Sequence, residues 1–139
     1  MKNNSLLQLV LFILFFISLQ WLNGCANEPV DIGQKNYELY CANCHKSDGQ
    51  GLANLIPPLA KSDYLMQHIE ELPCILYYGL EGEIVVNGRT FKQPMPANKE
   101  LSSQQVMHIT NYILNQWGNE YRKIYRQELE QWFEDCSKK

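Results

Sequence analysis

The sequence lacks an excess of positive charge, because its 12 lysine and arginine residues are outnumbered by 15 aspartate and glutamate residues. Proteins that bind nucleic acid neutralise phosphates with basic side chains, so this balance argues against DNA or RNA as a partner. The sequence also lacks repeats and low-complexity segments, and 45% of its residues are hydrophobic. A chain of 139 residues with this composition is expected to form one ordinary globular domain.

Two kinds of site are also missing from the sequence. It shows no separate set of carboxylates, nucleophile and general base of the kind that enzymes use, so we do not predict an enzyme. It has a single Cys-x-x-Cys pair, formed by Cys41 and Cys44, and lacks the second pair that a four-cysteine zinc site requires.

The N-terminal apolar stretch is short for a membrane span. Lys2 precedes a stretch from Leu6 to Leu22 that contains three polar residues, Gln8, Ser18 and Gln20. A bilayer-spanning helix needs roughly 20 consecutive apolar residues. A positive start with a short apolar core is typical of a secretory signal, with an uncleaved anchor helix as the alternative.

The residues that follow the apolar stretch indicate a lipid anchor. Leu22-Asn23-Gly24-Cys25 resembles the lipobox of bacterial lipoproteins, in which the signal is cut before a cysteine that then carries lipid. Asn23 departs from the usual pattern, and an unmodified cysteine near the cleavage site is the alternative. We therefore predict a signal peptide at 1–24, a lipid on Cys25 and a tether at 25–31. The protein would face the periplasm from the bacterial cell envelope, on a membrane that the sequence does not specify.

The rest of the chain divides into a domain at 32–118 and a C-terminal extension at 119–139. In the domain, apolar periodicity predicts three helices, from Ile32 to about Asn43, from Ser62 to Glu71, and from Ser102 to Trp117. Pro73 is expected to end the second helix. Gln105 completes a capping box with Ser102 at the start of the third.

A small β-hairpin interrupts this helical pattern. Asn87-Gly88 separates Ile84-Val85-Val86 from Arg89-Thr90-Phe91, and Asn-Gly between short apolar runs is typical of a tight primed turn. The predicted fold is therefore all-α, with three or four core helices, this hairpin and an extra C-terminal helix.

The C-terminal extension carries large apolar residues at a helical period between Glu120 and Cys136. We predict that this helix packs on the domain as structural cover, with a docking surface for a partner as the alternative. Of the five cysteines, Cys25 is assigned to the lipid, and Cys41 and Cys44 belong to the motif described next, which leaves Cys74 and Cys136. In an exported protein the oxidising compartment favours a disulfide between these two. Two free or intermolecular thiols are the alternative.

Cys41-Ala42-Asn43-Cys44-His45 fits the C-x-x-C-H signature of covalent haem attachment. The two cysteines lie one turn apart at the end of a helix and can reach the two vinyl groups on one edge of a haem. His45 then falls beneath the ring, where its imidazole can bind iron. A disulfide-exchange motif or half of a zinc site is the alternative, but redox Cys-x-x-Cys pairs rarely carry a histidine next in the sequence, and no second Cys-x-x-Cys pair exists for zinc. We predict one covalently bound haem c.

The chain from about Ile32 to Trp117 resembles a class I cytochrome c domain. In that family a glycine and an aromatic residue of the first helix interlock with an aromatic residue of the last, and Gly33, Tyr37 and Tyr112 stand at matching positions. The resemblance also implies that a backbone carbonyl within Pro57-Pro58-Leu59 accepts a hydrogen bond from the haem-ligating histidine. Lys46 departs from the family, which most often has glycine there.

The resemblance assigns the second axial ligand to Met95, in the segment Pro94-Met95-Pro96 after the hairpin. The two prolines stiffen this loop and hold the methionine in place. Sulfur opposite imidazole favours ferrous iron and raises the reduction potential. The alternative ligands are two methionines and two histidines that we assign to core or surface, Met66, Met107, His68 and His108.

The remaining site residues are predicted by position only. Candidates for the apolar haem pocket are Leu59, Leu65, Tyr77, Ile84, Phe91 and Ile113. Arg89 and Tyr78 are candidates for holding the haem propionates.

An iron with both axial positions filled by protein has no open site for substrate, so single-electron transfer is the expected function. We predict a membrane-anchored carrier in a respiratory or other periplasmic redox chain, with redox proteins as partners. Those partners would be a membrane complex, a reductase or a dehydrogenase. A fixed electron-entry subunit of a dehydrogenase or reductase is the alternative, and a haem sensor or peroxidase-like enzyme, in which Met95 leaves the iron, is a third.

Overall fold

The computed structural model describes residues 3–20 and 31–136. Helix α1, Asn3–Gln20, contains the N-terminal apolar stretch as far as Gln20. The predicted cleavage site, Cys25 and most of the tether lie outside the described residues. None of the described helices combines the length and apolar character that crossing a bilayer demands.

The described residues from Asp31 onward form one compact unit. Its elements in chain order are α2 (Ile32–Tyr40), α3 (Ala42–His45), α4 (Asp63–Gln67), a 3₁₀ turn (Ile69–Glu71), α5 (Leu72–Tyr78), β1 (Ile84–Val86), β2 (Arg89–Phe91), α6 (Ser103–Ile113) and α7 (Arg126–Cys136). The predicted mainly helical fold with one small hairpin is confirmed.

Two local predictions are confirmed by the hydrogen bonds. Strands β1 and β2 pair antiparallel, and Asn87 and Gly88 both adopt positive φ, as a primed turn requires. At the start of α6, Ser102 Oγ accepts from the Gln105 amide, and the Gln105 side chain accepts from the Ser102 amide. This is the predicted capping box.

The predicted role of Pro73 is wrong. Pro73 stands in the first turn of α5 and does not end the preceding helix, which stops at Gln67. Proline is tolerated in a first turn because the amide that it lacks has no partner within the helix. A helix at Leu72–Tyr78 was therefore missed.

Three other helices end or begin away from their predicted bounds. The helix predicted from Ile32 to about Asn43 is interrupted at Cys41, and α3 follows α2 as a separate turn. Helix α6 ends at Ile113, whose carbonyl accepts from the Asn119 side chain at 2.9 Å. Helix α7 begins only at Arg126, so the predicted helix from Glu120 is wrong in its first six residues.

The amide of Asn111 explains why the chain before α7 is not helical. Its Oδ1 accepts from the backbone amide of Ile124 at 2.8 Å, and its Nδ2 donates to the Ile124 carbonyl at 3.0 Å. The backbone groups of Ile124 are thereby used by a side chain of α6. The segment is held against the domain, with Ile124 fully buried.

The extension is also tied to α5. The structure joins Cys74 of α5 and Cys136 at the end of α7 in a disulfide with a Cα–Cα distance of 5.7 Å. Between these ties, Leu129 and Trp132 are buried in the core, and the ring of Phe133 meets Tyr77 of α5 edge-on. Residues 119–136 therefore cover the domain, as structural packing predicts.

Candidate functional site

The predicted haem-binding residues lie around one cavity of about 230 Å³. Cys41, Cys44 and His45 line it from the junction of α2 and α3, and Met95 lines it from the loop after the hairpin. The walls are mostly apolar and come from the 56–59 segment, α4, α5 and β1. The structure thus brings the attachment motif together with a methionine far along the chain.

The two motif cysteines are not joined in a disulfide. Cys41 is buried and Cys44 is exposed. Burial raises the pKa of the Cys41 thiol to about 12, and the neighbouring Cys44 adds to the rise. Disulfide-exchange centres use a lowered thiol pKa, so this environment disfavours that alternative. For the zinc alternative, the part of the chain that the structure describes has no group of three or more histidine, cysteine, aspartate or glutamate residues that could hold a metal ion.

His45 is only 8% exposed, and its ring is fixed by one hydrogen bond. Nδ1 lies 3.2 Å from the carbonyl oxygen of Pro57. Because a carbonyl only accepts, we assign the proton to Nδ1, which leaves the lone pair of Nε2 for a metal. Burial lowers the pKa of His45, although the bond to Pro57 opposes this, and the neutral imidazole is the form that binds metals. The carbonyl of Pro57 is thus the hydrogen-bond acceptor that the family resemblance placed only within Pro57-Pro58-Leu59.

Met95 is held at the backbone by the end of α5. Its amide donates to the Leu80 carbonyl at 2.9 Å, and its carbonyl accepts from the Leu80 amide at 3.0 Å. Gly79 has φ of +83°, and a Cβ on it would lie 2.5 Å from the Met95 carbonyl oxygen. Only glycine permits this approach. Gly79 and Leu80 were not predicted as site residues, although a glycine that ends an apolar helix was a usable signal.

Among the alternative axial ligands, only His68 lines the cavity. Met66 and Met107 are partly buried against the hydrophobic core. His108 belongs to α6 and is also absent from the cavity lining.

The predicted pocket is partly right. Leu59, Leu65, Ile84 and Ile113 line the cavity. Tyr77 and Phe91 do not: Tyr77 packs against Tyr78 and Phe133, and Phe91 is buried away from the cavity lining. Periodicity marks such residues as buried but does not say which side of the core they face.

Neither of the predicted propionate partners, Arg89 and Tyr78, is among the residues that line the cavity. A guanidinium nitrogen of Arg89 lies 3.4 Å from Asn54 Oδ1, and the half-exposed ring of Tyr78 packs on Tyr77.

The crossing of α2 and α6 sets the position of the motif. A Cβ on Gly33 would lie 2.6 Å from the His108 carbonyl oxygen, so the two backbones touch. The Tyr37 ring is fully buried with its centroid 5.4 Å from that of Tyr112, and its hydroxyl donates to the Lys46 carbonyl at 2.6 Å. This is the interlock that the resemblance implies. Trp117, predicted only as a helix end, adds a third ring 4.9 Å from Tyr37.

Comparison with known proteins decides the family. The family model described as "Cytochrome c" matches residues 30–117. This chain belongs to the cytochrome c family. The cytochrome is 34% identical over 102 residues to "Cytochrome c-552" of Thermus thermophilus, a match that covers 70% of this chain and 68% of the relative.

A second relative is a larger protein. The cytochrome is 34% identical over 91 residues to "Alcohol dehydrogenase (quinone), cytochrome c subunit" of Gluconacetobacter polyoxogenes. That match covers 63% of this chain but only 19% of the relative. The family carries haem c covalently and transfers electrons, so this cytochrome holds one haem c and serves in electron transfer. The apolar cavity, its two thiols, its imidazole with a free Nε2 and its thioether fit that group.

Proposed function

We propose that this cytochrome is a membrane-anchored mono-haem electron carrier in a respiratory or other periplasmic redox chain. The observation that carries the proposal is the presence of His45 and Met95 on the same cavity as both thiols. An imidazole and a thioether would fill both axial positions of the iron and leave none for a substrate. The protein then acts as a carrier and not as an enzyme.

Each residue of the site has a distinct role in this proposal. Cys41 and Cys44 would form the thioether bonds, and His45 and Met95 would be the axial ligands. Pro57 orients the imidazole and raises its basicity through Nδ1. Haem supplies the one-electron redox chemistry, and the apolar walls keep water from the iron.

The location follows from the N-terminal sequence. Cys25 in its lipobox-like context would carry the lipid, and the head would face the periplasm on a membrane of the cell envelope. Redox proteins near that membrane would be the partners.

A fixed electron-entry subunit is the second candidate. It is favoured by the relative whose printed name is the cytochrome c subunit of a quinone alcohol dehydrogenase. Purification from membranes in mild detergent separates the two, because a fixed subunit copurifies with its enzyme in constant ratio and a carrier does not. A high-spin, five-coordinate spectrum of the purified protein would instead favour a haem sensor.

The attachment is tested by extraction. Acidified organic solvent should leave haem on the wild-type protein and remove it from the variant with Cys41→Ser and Cys44→Ser, since the wild type has two thioether bonds. A redox titration followed by absorbance should give a single one-electron transition. Haem that extracts freely from the wild type would contradict the assignment of both cysteines.

A further inference from the structure

The cavity has a polar end whose role is still unassigned. Haem carries two carboxylates on one edge of its apolar ring, and a carboxylate that is buried away from water needs hydrogen-bond donors from the protein. Among the described residues that line the cavity, none is a lysine, arginine, aspartate or glutamate. Outside the attachment motif, the polar lining residues are Tyr40, Ser62, Tyr64, His68, Gln93 and Asn98.

Two of these polar residues form a single unit at the end of α4. The rings of Tyr64 and His68 stack with their centroids 4.2 Å apart and an interplanar angle of 26°. The hydroxyl oxygen of Ser62 caps α4 by accepting from the Leu65 amide, and that of Tyr40 accepts from the Gln105 side chain, so both hydroxyls are held within the domain. Gln93 is exposed and Asn98 half-buried in the chain after the hairpin.

Glu71 orients the imidazole of His68. The Glu71 carboxylate lies 3.3 Å from Nδ1 of His68. When His68 is protonated both ring nitrogens donate, so the Nδ1–H that serves Glu71 leaves Nε2–H for a second anion. The His68 side chain is 36% exposed, which suits a carboxylate at the rim of a cavity.

The Tyr64 hydroxyl is a matching donor. Burial raises its pKa, and the nearby Glu71 adds to the rise, so the hydroxyl keeps its proton. Tyr64, and His68 in its protonated form, thus present two donors on the cavity wall.

We propose that Tyr64 and His68 hold the haem carboxylates, with Glu71 as the positioning residue for His68. This role replaces the one predicted for Arg89 and Tyr78, and it rests on the haem placement proposed above. Hydrogen bonds to these carboxylates reduce the negative charge felt at the iron, which favours the ferrous state. The pair therefore raises the reduction potential of the cytochrome.

The experiment compares the potential and the resonance Raman bands of the haem propionates in single variants of the haem-loaded protein. Tyr64→Phe and His68→Phe keep the stacked rings but remove the donors, so both should lower the midpoint potential and shift the propionate bands. His68→Gln keeps an N–H donor and should stay nearer to wild type than His68→Phe. His108→Gln is the matched control outside the cavity and should change neither readout.

The opposite ranking would overturn the proposal. If His68→Phe behaves like wild type while His68→Gln shifts the potential, the residue serves to stack on Tyr64 and not to donate. A shift of the propionate bands in Arg89→Gln or Tyr78→Phe would return the role to those residues. A failure of the haem placement is distinguishable, because it would show as extractable haem in the wild type.

Discussion

Removing the disulfide should loosen the C-terminal extension without disturbing the haem. Cys74 and Cys136 are 62 positions apart, and in the chain-entropy model a loop of this length is worth about 4 kcal/mol of unfolding free energy. For a domain of roughly 100 residues, each kcal/mol shifts the melting temperature by about 4 °C or more. We therefore expect the variant with Cys74→Ala and Cys136→Ala to melt roughly 15 °C lower.

The assay is thermal unfolding of the haem-loaded protein, followed by far-ultraviolet circular dichroism. The visible spectrum at room temperature should be unchanged, because neither cysteine of this pair lines the cavity. Non-reducing peptide mapping of the wild type should recover the two cysteine peptides joined. Finding both thiols free by alkylation would refute the pairing, and an unchanged melting temperature would refute the estimate of its effect.

Truncation before Glu120 gives a second measure of how much the C-terminal extension stabilises the domain. It removes Ile124, Leu129 and Trp132, and burying each such side chain contributes about 1.5–3 kcal/mol. It also removes both hydrogen bonds between the Asn111 side chain and the backbone of Ile124. Truncation should therefore cost more stability than loss of the disulfide. A truncated protein that is as stable as the full chain but slower toward a redox partner would identify the extension as a docking element.

Three further outcomes are expected. Met95→Ala should abolish the weak sulfur-to-iron band of the oxidised protein, whereas Met66→Leu and Met107→Leu should keep it; a band that survives in Met95→Ala would place the ligand elsewhere. Cys25→Ser should prevent incorporation of labelled fatty acid, and unaffected labelling would favour an uncleaved helix. Gly33→Ala should destabilise the fold by about 1–3 kcal/mol in denaturant titration, because its Cβ would meet a backbone oxygen; unchanged stability would show that the crossing can open.

The sequence was most informative for structures that are determined by residues close together in the chain. The hairpin and the cap of α6 depend on residues at most a few positions apart, so Asn87-Gly88 and Ser102 with Gln105 were readable without the fold. The attachment motif is contiguous for the same reason. Family resemblance supplied the contact of Gly33 with α6.

The errors arose where distant residues decide the outcome. Periodicity predicted a helix through Ile124, but Asn111 takes over the backbone groups of that residue. Pro73 fits both the end of one helix and the start of the next, and only packing selects between them. The polar end of the cavity was missed because only the folded chain brings the short segment of Tyr64 and His68 to the cavity.

The burial of Cys41 has a consequence for the order of assembly. In the folded domain the Cys41 sulfur is buried at the end of α2, and the ring of Tyr37 packs α2 against Tyr112 of α6. Haem must reach both motif sulfurs for the two thioether bonds to form, and the burial of Cys41 hinders access to one of them in the closed domain. We therefore expect attachment to come first, on an open chain, and the crossing of the two helices to follow it. The cofactor would then serve as the template on which the polypeptide closes.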